Sequence, residues 1–293
     1  MADIDLKPLH KVLLSIYQEM DKICQRHLLR LFGTSGTALG AVRHHGFIPW
    51  DDDLDTGMPR PDYEKFLQIA DSELPPWLRV LSWRNCKQYE LILSKVIVTD
   101  KAIVDRISKE TGLAFPLGIF VDIFPFDGYP TSRLQKWLRM IRIGKLRAQE
   151  YAITTKWSEL PKLQAKLGWL IVKMLCMGGR LKTRQDVLAL REKELKRLDY
   201  ETAGRVINNM WFQEEIRFSK SPLDECYNAK DLGWGKLVPF EDATMRVFDN
   251  VDVYLRSIFG DYMTPPPPEK RRPMHGDVDV AVAPWRLGPV GRR

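Results

Sequence analysis

Residues 36–63 read GTALGAVRHHGFIPWDDDLDTGMPRPDY, and no other stretch restricts what this chain can become so strongly. Asp51, Asp52, Asp53 and Asp55 crowd one short segment. Carboxylates about 4 Å apart repel by roughly 4 kcal/mol per pair at an effective dielectric near 20. Such a cluster needs either a solvated surface loop or a cation. The flanking residues favour the cation, because apolar Phe47, Ile48 and Trp50 lead in and Leu54 separates Asp53 from Asp55. In an extended strand Asp53 and Asp55 share one face and Leu54 takes the other. Paired hard oxygen ligands suit Mg²⁺, or Mn²⁺ in its place, which takes waters and substrate phosphates as further ligands.

Upstream, Gly36 and Thr37 open a helical reading over residues 37–45, with Gly46 placed to end it. A helix N-terminus behind a glycine turn presents N–H groups to a phosphate. A turn of that kind followed by Asp-hydrophobic-Asp is similar to the polymerase-β-like nucleotidyltransferase arrangement. The longer string resembles the LicD family of phosphocholine transferases, with its pattern GTLLGAVRHxGFIPWDDDID, a Met, and Arg-x-Asp-Tyr-x-x-Phe. Residues 36–55 match, with Ala38 and Leu54 as mild variants, and Met58, Arg60, Asp62, Tyr63 and Phe66 continue the match. Two further stretches carry it: Phe120 to Asp127 against F-V-D-I-F-P-x-D, and Gly260 to His275 against a closing G-D-Y-M-x-x-P-P with a basic residue and His. The resemblance spans residues 6–275, loosely through 131–235. It implies an α+β nucleotidyltransferase-like core with a mixed sheet and a mainly helical insertion, related to the fukutin-type transferases.

Beyond these stretches, residues 6–31 read as an amphipathic helix with Leu9, Val12, Leu13, Ile16, Met20, Ile23 and His27 on one stripe. A short strand over 31–33 follows, and after the aspartates a helix to about Asp71. Residues 79–83, 90–99 and 102–107 alternate as strands. Lys95, the one charge in its apolar strand, either snorkels to an edge or faces an anionic ligand. Asp122 lies between Phe120, Val121, Ile123 and Phe124, and an acid so placed must be paired or metal-bound, or else cap a loop. Asp127, in a turn-like stretch, reads as structural. Residues 132–156, 159–177 and 183–200 read as helices. The first is rich in Arg and Lys interleaved with Leu, Ile and Trp. It is either a helical subdomain with a solvated face or a surface for anionic lipid. The domains expected are a catalytic core over 1–130, a helical insertion over 131–205, a part completing the core over 206–275, and a flexible tail over 276–293.

A 293-residue chain with 44% hydrophobic and 28% charged residues is an ordinary globular composition. Net charge +7 permits attraction to phosphates or an anionic surface without choosing between them. Cys24, Cys86, Cys176 and Cys226 are isolated, which argues against a zinc site and for a reduced compartment. The start, MADIDLKPLH, has no signal-peptide pattern, and the most apolar run, 167–177, is interrupted by Lys173 and short of the ~20 residues a membrane span requires. The expectation is a cytoplasmic protein, with peripheral contact at the inner face of the membrane left open by the basic helix.

The resemblance implies Mg²⁺-dependent transfer of phosphocholine, or a related phosphoalcohol, from CDP-choline or another CDP-alcohol to a sugar hydroxyl of a glycan or lipid-linked glycan, releasing CMP. Lipopolysaccharide and teichoic acid are acceptors of that kind; no nucleic acid is expected. In this reading Asp53, Asp55 and Asp122 hold the metal and carry catalysis, with Asp122 sharing the metal or taking the acceptor proton. Gly36 and Thr37 cradle phosphate, Arg43 neutralises developing charge, and Lys95 and His275 contact phosphate. Trp50 either stacks on the ligand or packs, and Asp51 and Asp52 support from behind. The alternatives are a nucleotidyltransferase releasing pyrophosphate, a glycosyltransferase using the DxD, which the preceding Gly36-Thr37 turn argues against, and a non-enzymatic polyanion binder.

Overall fold

A computed structural model describes residues 5–111, 116–154, 183–208 and 226–273, together with Leu167, Leu170 and Met174. The chain opens with α1 (Lys7–His27), where Pro8 fits the first turn and Leu28 closes the end in the left-handed region (φ 54°). Its stripe of Leu9, Val12, Leu13, Ile16, Met20 and Ile23 is buried, as the spacing predicts. His27 is not part of the packed stripe. It sits in the last turn and contacts Glu73 at 2.5 Å, next to the Arg26–Glu73 pair at 2.6 Å.

Strand β1 (Phe32–Gly33) leads into α2 (Ser35–Arg43), followed by β2 (Asp55–Pro59) and α3 (Arg60–Glu73). The helix expected over 37–45 thus starts and ends two residues early. The left-handed turn after it falls on His45 (φ 57°) rather than on Gly46. Strands β3 (Leu78–Leu81) and β4 (Ser94–Val98) follow.

Residues 102–107, expected as a strand, instead belong to α4 (Lys101–Thr111). Asp100 explains the difference: its Oδ1 accepts from the backbone N–H of Ala102 (3.0 Å) and Ile103 (3.2 Å). That cap satisfies first-turn donors and overrides the β-branched propensity of Ile103 and Val104, leaving Ile103 and Ile107 on one face.

The ten-residue β5 (Phe120–Tyr129) is the spine of the sheet. It pairs antiparallel with β4 over Phe120–Ile123, parallel with β2 over Asp122–Phe126, and antiparallel with β6 (Arg205–Asn208) over Phe126–Tyr129. β7 (Cys226–Asn228) pairs antiparallel with β6, so among the described residues seven strands form one mixed sheet ordered β1-β2-β5-β4-β3, with β6 and β7 branching from β5. Between β5 and β6 lie α5 (Arg133–Thr154) and α6 (Arg184–Leu195), whose start is a capping box of Thr183 and Asp186. The helix expected over 159–177 lies almost wholly outside the described residues. After β7 come α7 (Ala229–Leu232), the hairpin β8 (Lys236–Phe240) and β9 (Ala243–Val247), and α8 (Val251–Phe259). The proline-rich end runs without helix until a 3-10 turn at Pro268–Lys270. This is a mixed α+β architecture of the nucleotidyltransferase type.

Among the described residues no helix is long and apolar enough to cross a membrane. Buried charge ties the helices to the sheet. Arg60 at the head of α3 grips both oxygens of fully buried Asp127 on β5 (2.6 and 2.7 Å) and reaches Glu192 of α6 at 3.3 Å. Glu64, one turn on, takes Arg84 (2.8 Å) and Lys196 (2.7 Å). Asp127 is therefore structural, as its position predicts.

Candidate active site

Sheet register builds the site. Parallel pairing sets Asp55 of β2 opposite Asp122 of β5, and antiparallel pairing sets Asp122 opposite Lys95 of β4. Residues in register across neighbouring strands point to the same face, about 4.8 Å apart per strand. Asp55, Asp122 and Lys95 thus form a row across three strands. Leu54 is turned away and buried, while Asp53, Asp52 and Asp51 precede it, each partly exposed, in an irregular approach. The Asp53-Leu54-Asp55 segment is only partly strand, which begins at Asp55.

The row holds more negative than positive charge. Burial first, then repulsion from Asp53 and Asp122, pushes the Asp55 carboxyl well above the usual range; Lys95 counteracts this and Asp51 adds to it. Lys95 forms an ion pair with Asp122 Oδ1, and its Nζ lies 3.6 Å from the centre of the Phe120 ring. It therefore faces an anion and does not snorkel, and that anion is a carboxylate of the protein. Among the described residues no three His, Cys, Asp or Glu side chains converge into a ready-made metal cage. Asp53 and Asp55 remain as two hard oxygen donors close together, which matches how Mg²⁺ is bound when substrate phosphates complete its shell. The donor set fits a divalent cation through those two, and Asp122 on the same face has one oxygen, Oδ1, paired with Lys95.

Helix α2 is fastened directly to the acids. Thr37 Oγ1 accepts from the Asp55 backbone N–H at 2.8 Å, and Thr34 N–H donates to the Asp55 carbonyl at 3.0 Å. Thr37 is buried, its hydroxyl braces the strand as an acceptor and keeps its own O–H to donate, and the backbone N–H groups of Gly36 and Thr37 lie at the helix start. A Cβ on Gly36 would come within 2.6 Å of Asp51 Oδ2, so glycine lets the Asp51 carboxylate approach the start of α2, where the helix dipole favours negative charge. The hydroxyl of Thr34, fully buried just ahead of the helix, has no hydrogen-bond partner among the described residues.

Two guanidiniums lie near enough to feel each other's charge. Arg43, at the end of α2, donates to the Tyr262 carbonyl at 2.5 Å, and Arg271 stacks over Trp50 at 5.3 Å. Burial and then the Arg271 charge lower the Arg43 pKa. Two like charges held together next to Trp50 provide a place for an anion. Trp50, half-buried, also meets the edge of His44 at 6.1 Å, so it packs between basic groups. His275 lies outside the described residues.

Several positioning residues escape a reading of the sequence. His10 on α1 stacks flat on Phe47 (4.1 Å) and its Nε2 meets the Asp51 carbonyl at 2.7 Å. Burial lowers its pKa, outweighing the raising effect of that hydrogen bond, and because its partner is a carbonyl oxygen Nε2 is the donor. Glu241, at the tip of the β8–β9 hairpin, accepts from the Phe47 N–H at 2.9 Å and blocks any side chain at position 46. Tyr254 on α8 accepts the Ser35 N–H at 3.0 Å, its own hydroxyl pushed up to about 12 by burial. These contacts cross 41, 194 and 219 positions of chain, and nothing local announces them.

A mixed sheet with acids in register across a parallel strand pair, behind a short helix with glycine in its first turn, is an arrangement of the nucleotidyltransferase type. Residues 29–151 match the family model described as LicD/FKTN/FKRP, nucleotidyltransferase domain. It is 24% identical over 280 residues to the lipopolysaccharide cholinephosphotransferase LicD of Haemophilus influenzae, covering 94% of this chain and 97% of that protein. Over 62 residues it is 45% identical to an uncharacterized protein of Rickettsia typhi and 44% identical to one of Rickettsia prowazekii. These matches cover 20% of this chain, and 20% and 23% of the two relatives.

Proposed function

We infer that the protein transfers phosphocholine, or a related phosphoalcohol, from a CDP-alcohol to a sugar hydroxyl of a cell-surface glycan or its lipid-linked precursor, with CMP as the leaving group. The observation that carries this reading is the row Asp55–Asp122–Lys95, with Asp53 beside it and α2 braced against it. The similarity to a lipopolysaccharide cholinephosphotransferase along nearly the whole chain supports the choice of donor and acceptor.

Asp53 and Asp55 are the residues that would hold Mg²⁺, and the ion would neutralise the donor diphosphate. The chain's own groups do the rest by position and charge. Arg43 and Arg271 attract the diphosphate and stabilise the charge that moves onto CMP as it departs. Lys95 places a positive charge within the carboxylate row. Asp122, on the same face, is the acceptor for the proton of the attacking hydroxyl, which it takes as its contact with Lys95 loosens. The backbone of Gly36 and Thr37 orients phosphate at the helix start. The bond formed is sugar oxygen to the β-phosphorus; the bond broken is that phosphorus to the bridging oxygen.

Offering CDP-choline, CDP-ribitol and CDP-glycerol in turn, with Mg²⁺ and a glycan acceptor, tests the reading. It predicts CMP and a phosphoalcohol-modified glycan from at least one donor, both lost with EDTA. Inert CDP-alcohols, together with pyrophosphate release from a nucleoside triphosphate, would replace it with nucleotidyl transfer.

A further inference from the structure

Helix α5 divides its residues between two unlike faces. On the inner face Arg139 and Ile143 are buried, Arg139 donating to the Gly128 carbonyl at 3.1 Å, and Arg142 pairs with Glu194 of α6 at 2.5 Å. The outer face carries Leu134, Trp137 and Ile141, spaced three and four apart, which are 63, 55 and 46% exposed, with Leu138 beside them. A solvated helix places polar groups there. Exposed Leu167, Leu170 and Met174 follow later in the chain at the same spacing.

Charge decides what covers this stripe. Arg133 and Lys145 flank it, both exposed and neither in an ion pair among the described residues, and Lys136 lies over the Tyr129 ring at 5.6 Å. A second copy docked through a two-fold axis would set this basic rim against itself. An anionic surface would neutralise it. Apolar side chains, an indole and flanking bases on one helix face are what an interfacial helix presents to lipid headgroups.

We propose that the outer face of α5 seats the protein on an anionic lipid bilayer, the Leu134–Trp137–Ile141 stripe entering the headgroup region and Arg133, Lys136 and Lys145 meeting lipid phosphates. This goes beyond the transfer reaction and does not depend on it, because the test reads binding. The full chain is sedimented with vesicles of phosphatidylcholine alone and of phosphatidylcholine mixed with phosphatidylglycerol, at low and high salt. The expected result is binding to the anionic vesicles only, weakened by salt. Arg133→Glu with Lys145→Glu should weaken that binding about tenfold or more, and Trp137→Asp with Ile141→Asp by a similar factor. All four positions are exposed, so circular dichroism and the thermal midpoint should be unchanged. The salt series on the unaltered chain stands even if a variant misfolds. Equal binding to both vesicle types, no binding, or binding untouched by folded variants would overturn the proposal. So would a concentration-dependent dimer, seen by light scattering without vesicle binding and broken by Trp137→Asp, which would give the face to a second copy.

Discussion

Asp55 sits under burial and like charge at once. Its carboxyl is raised by burial and then by Asp53 and Asp122. A raised acid means that the folded state binds more protons than the unfolded chain between the two pKa values, so stability falls as pH rises through that interval. Asp55→Asn should therefore raise the thermal midpoint in EDTA, and by more at pH 8 than at pH 5. Mg²⁺ should stabilise the unaltered protein and leave the variant nearly unmoved; a variant no more stable than its parent at pH 8 would contradict the repulsion. Thr34→Val makes a second test. It removes a buried hydroxyl that lacks a partner among the described residues, so stability should hold within about 1 kcal/mol or improve in denaturant titration. At this scale the sequence was informative where chemistry is local. Four acids, a glycine turn and an isolated Lys and Asp in apolar strands all stand out by contrast with their neighbours. What the acids lean on, His10, Glu241 and Tyr254, did not stand out, because each is an ordinary residue made important by a distant partner.

Among the elements, α3, β5 and α6 are bound by the Arg60–Asp127–Glu192 and Glu64–Arg84–Lys196 contacts. Breaking a buried pair strands a charge, so Asp127→Ala should cost about 3–5 kcal/mol in equilibrium unfolding. A loss under 1 kcal/mol would mean that Arg60 finds another partner. Burial alone would push Glu64 up, but hydrogen bonds from Arg84 and Lys196 outweigh it and hold the carboxyl down to about 2. A depressed acid contributes stability that is complete above its ordinary value near 4.5 and is lost as pH falls through about 2. The difference in stability between the parent and Glu64→Gln should thus be full at pH 6 and shrink steadily toward pH 2. Element types were legible from period and caps, except where a cap was overlooked. Asp100 turns residues that alternate like a strand into α4, and a residue-by-residue propensity reading gives that single side chain too little weight.

In the whole molecule, the order of the sheet brings together Asp55, Lys95 and Asp122, which are far apart along the chain. That order was legible only through the family resemblance, since strand pairing across long intervals leaves no local trace. Together these groups should direct attack to the β-phosphate of a CDP-alcohol. The most direct test incubates the protein with CDP-choline and Mg²⁺ in ¹⁸O-enriched water, so that water replaces the glycan, and locates the label by mass spectrometry. Attack at the β-phosphate should give labelled phosphocholine and unlabelled CMP, suppressed about 10²-fold or more in Asp53→Ala. Labelled CMP beside unlabelled phosphocholine would put the attack at the α-phosphate and contradict it.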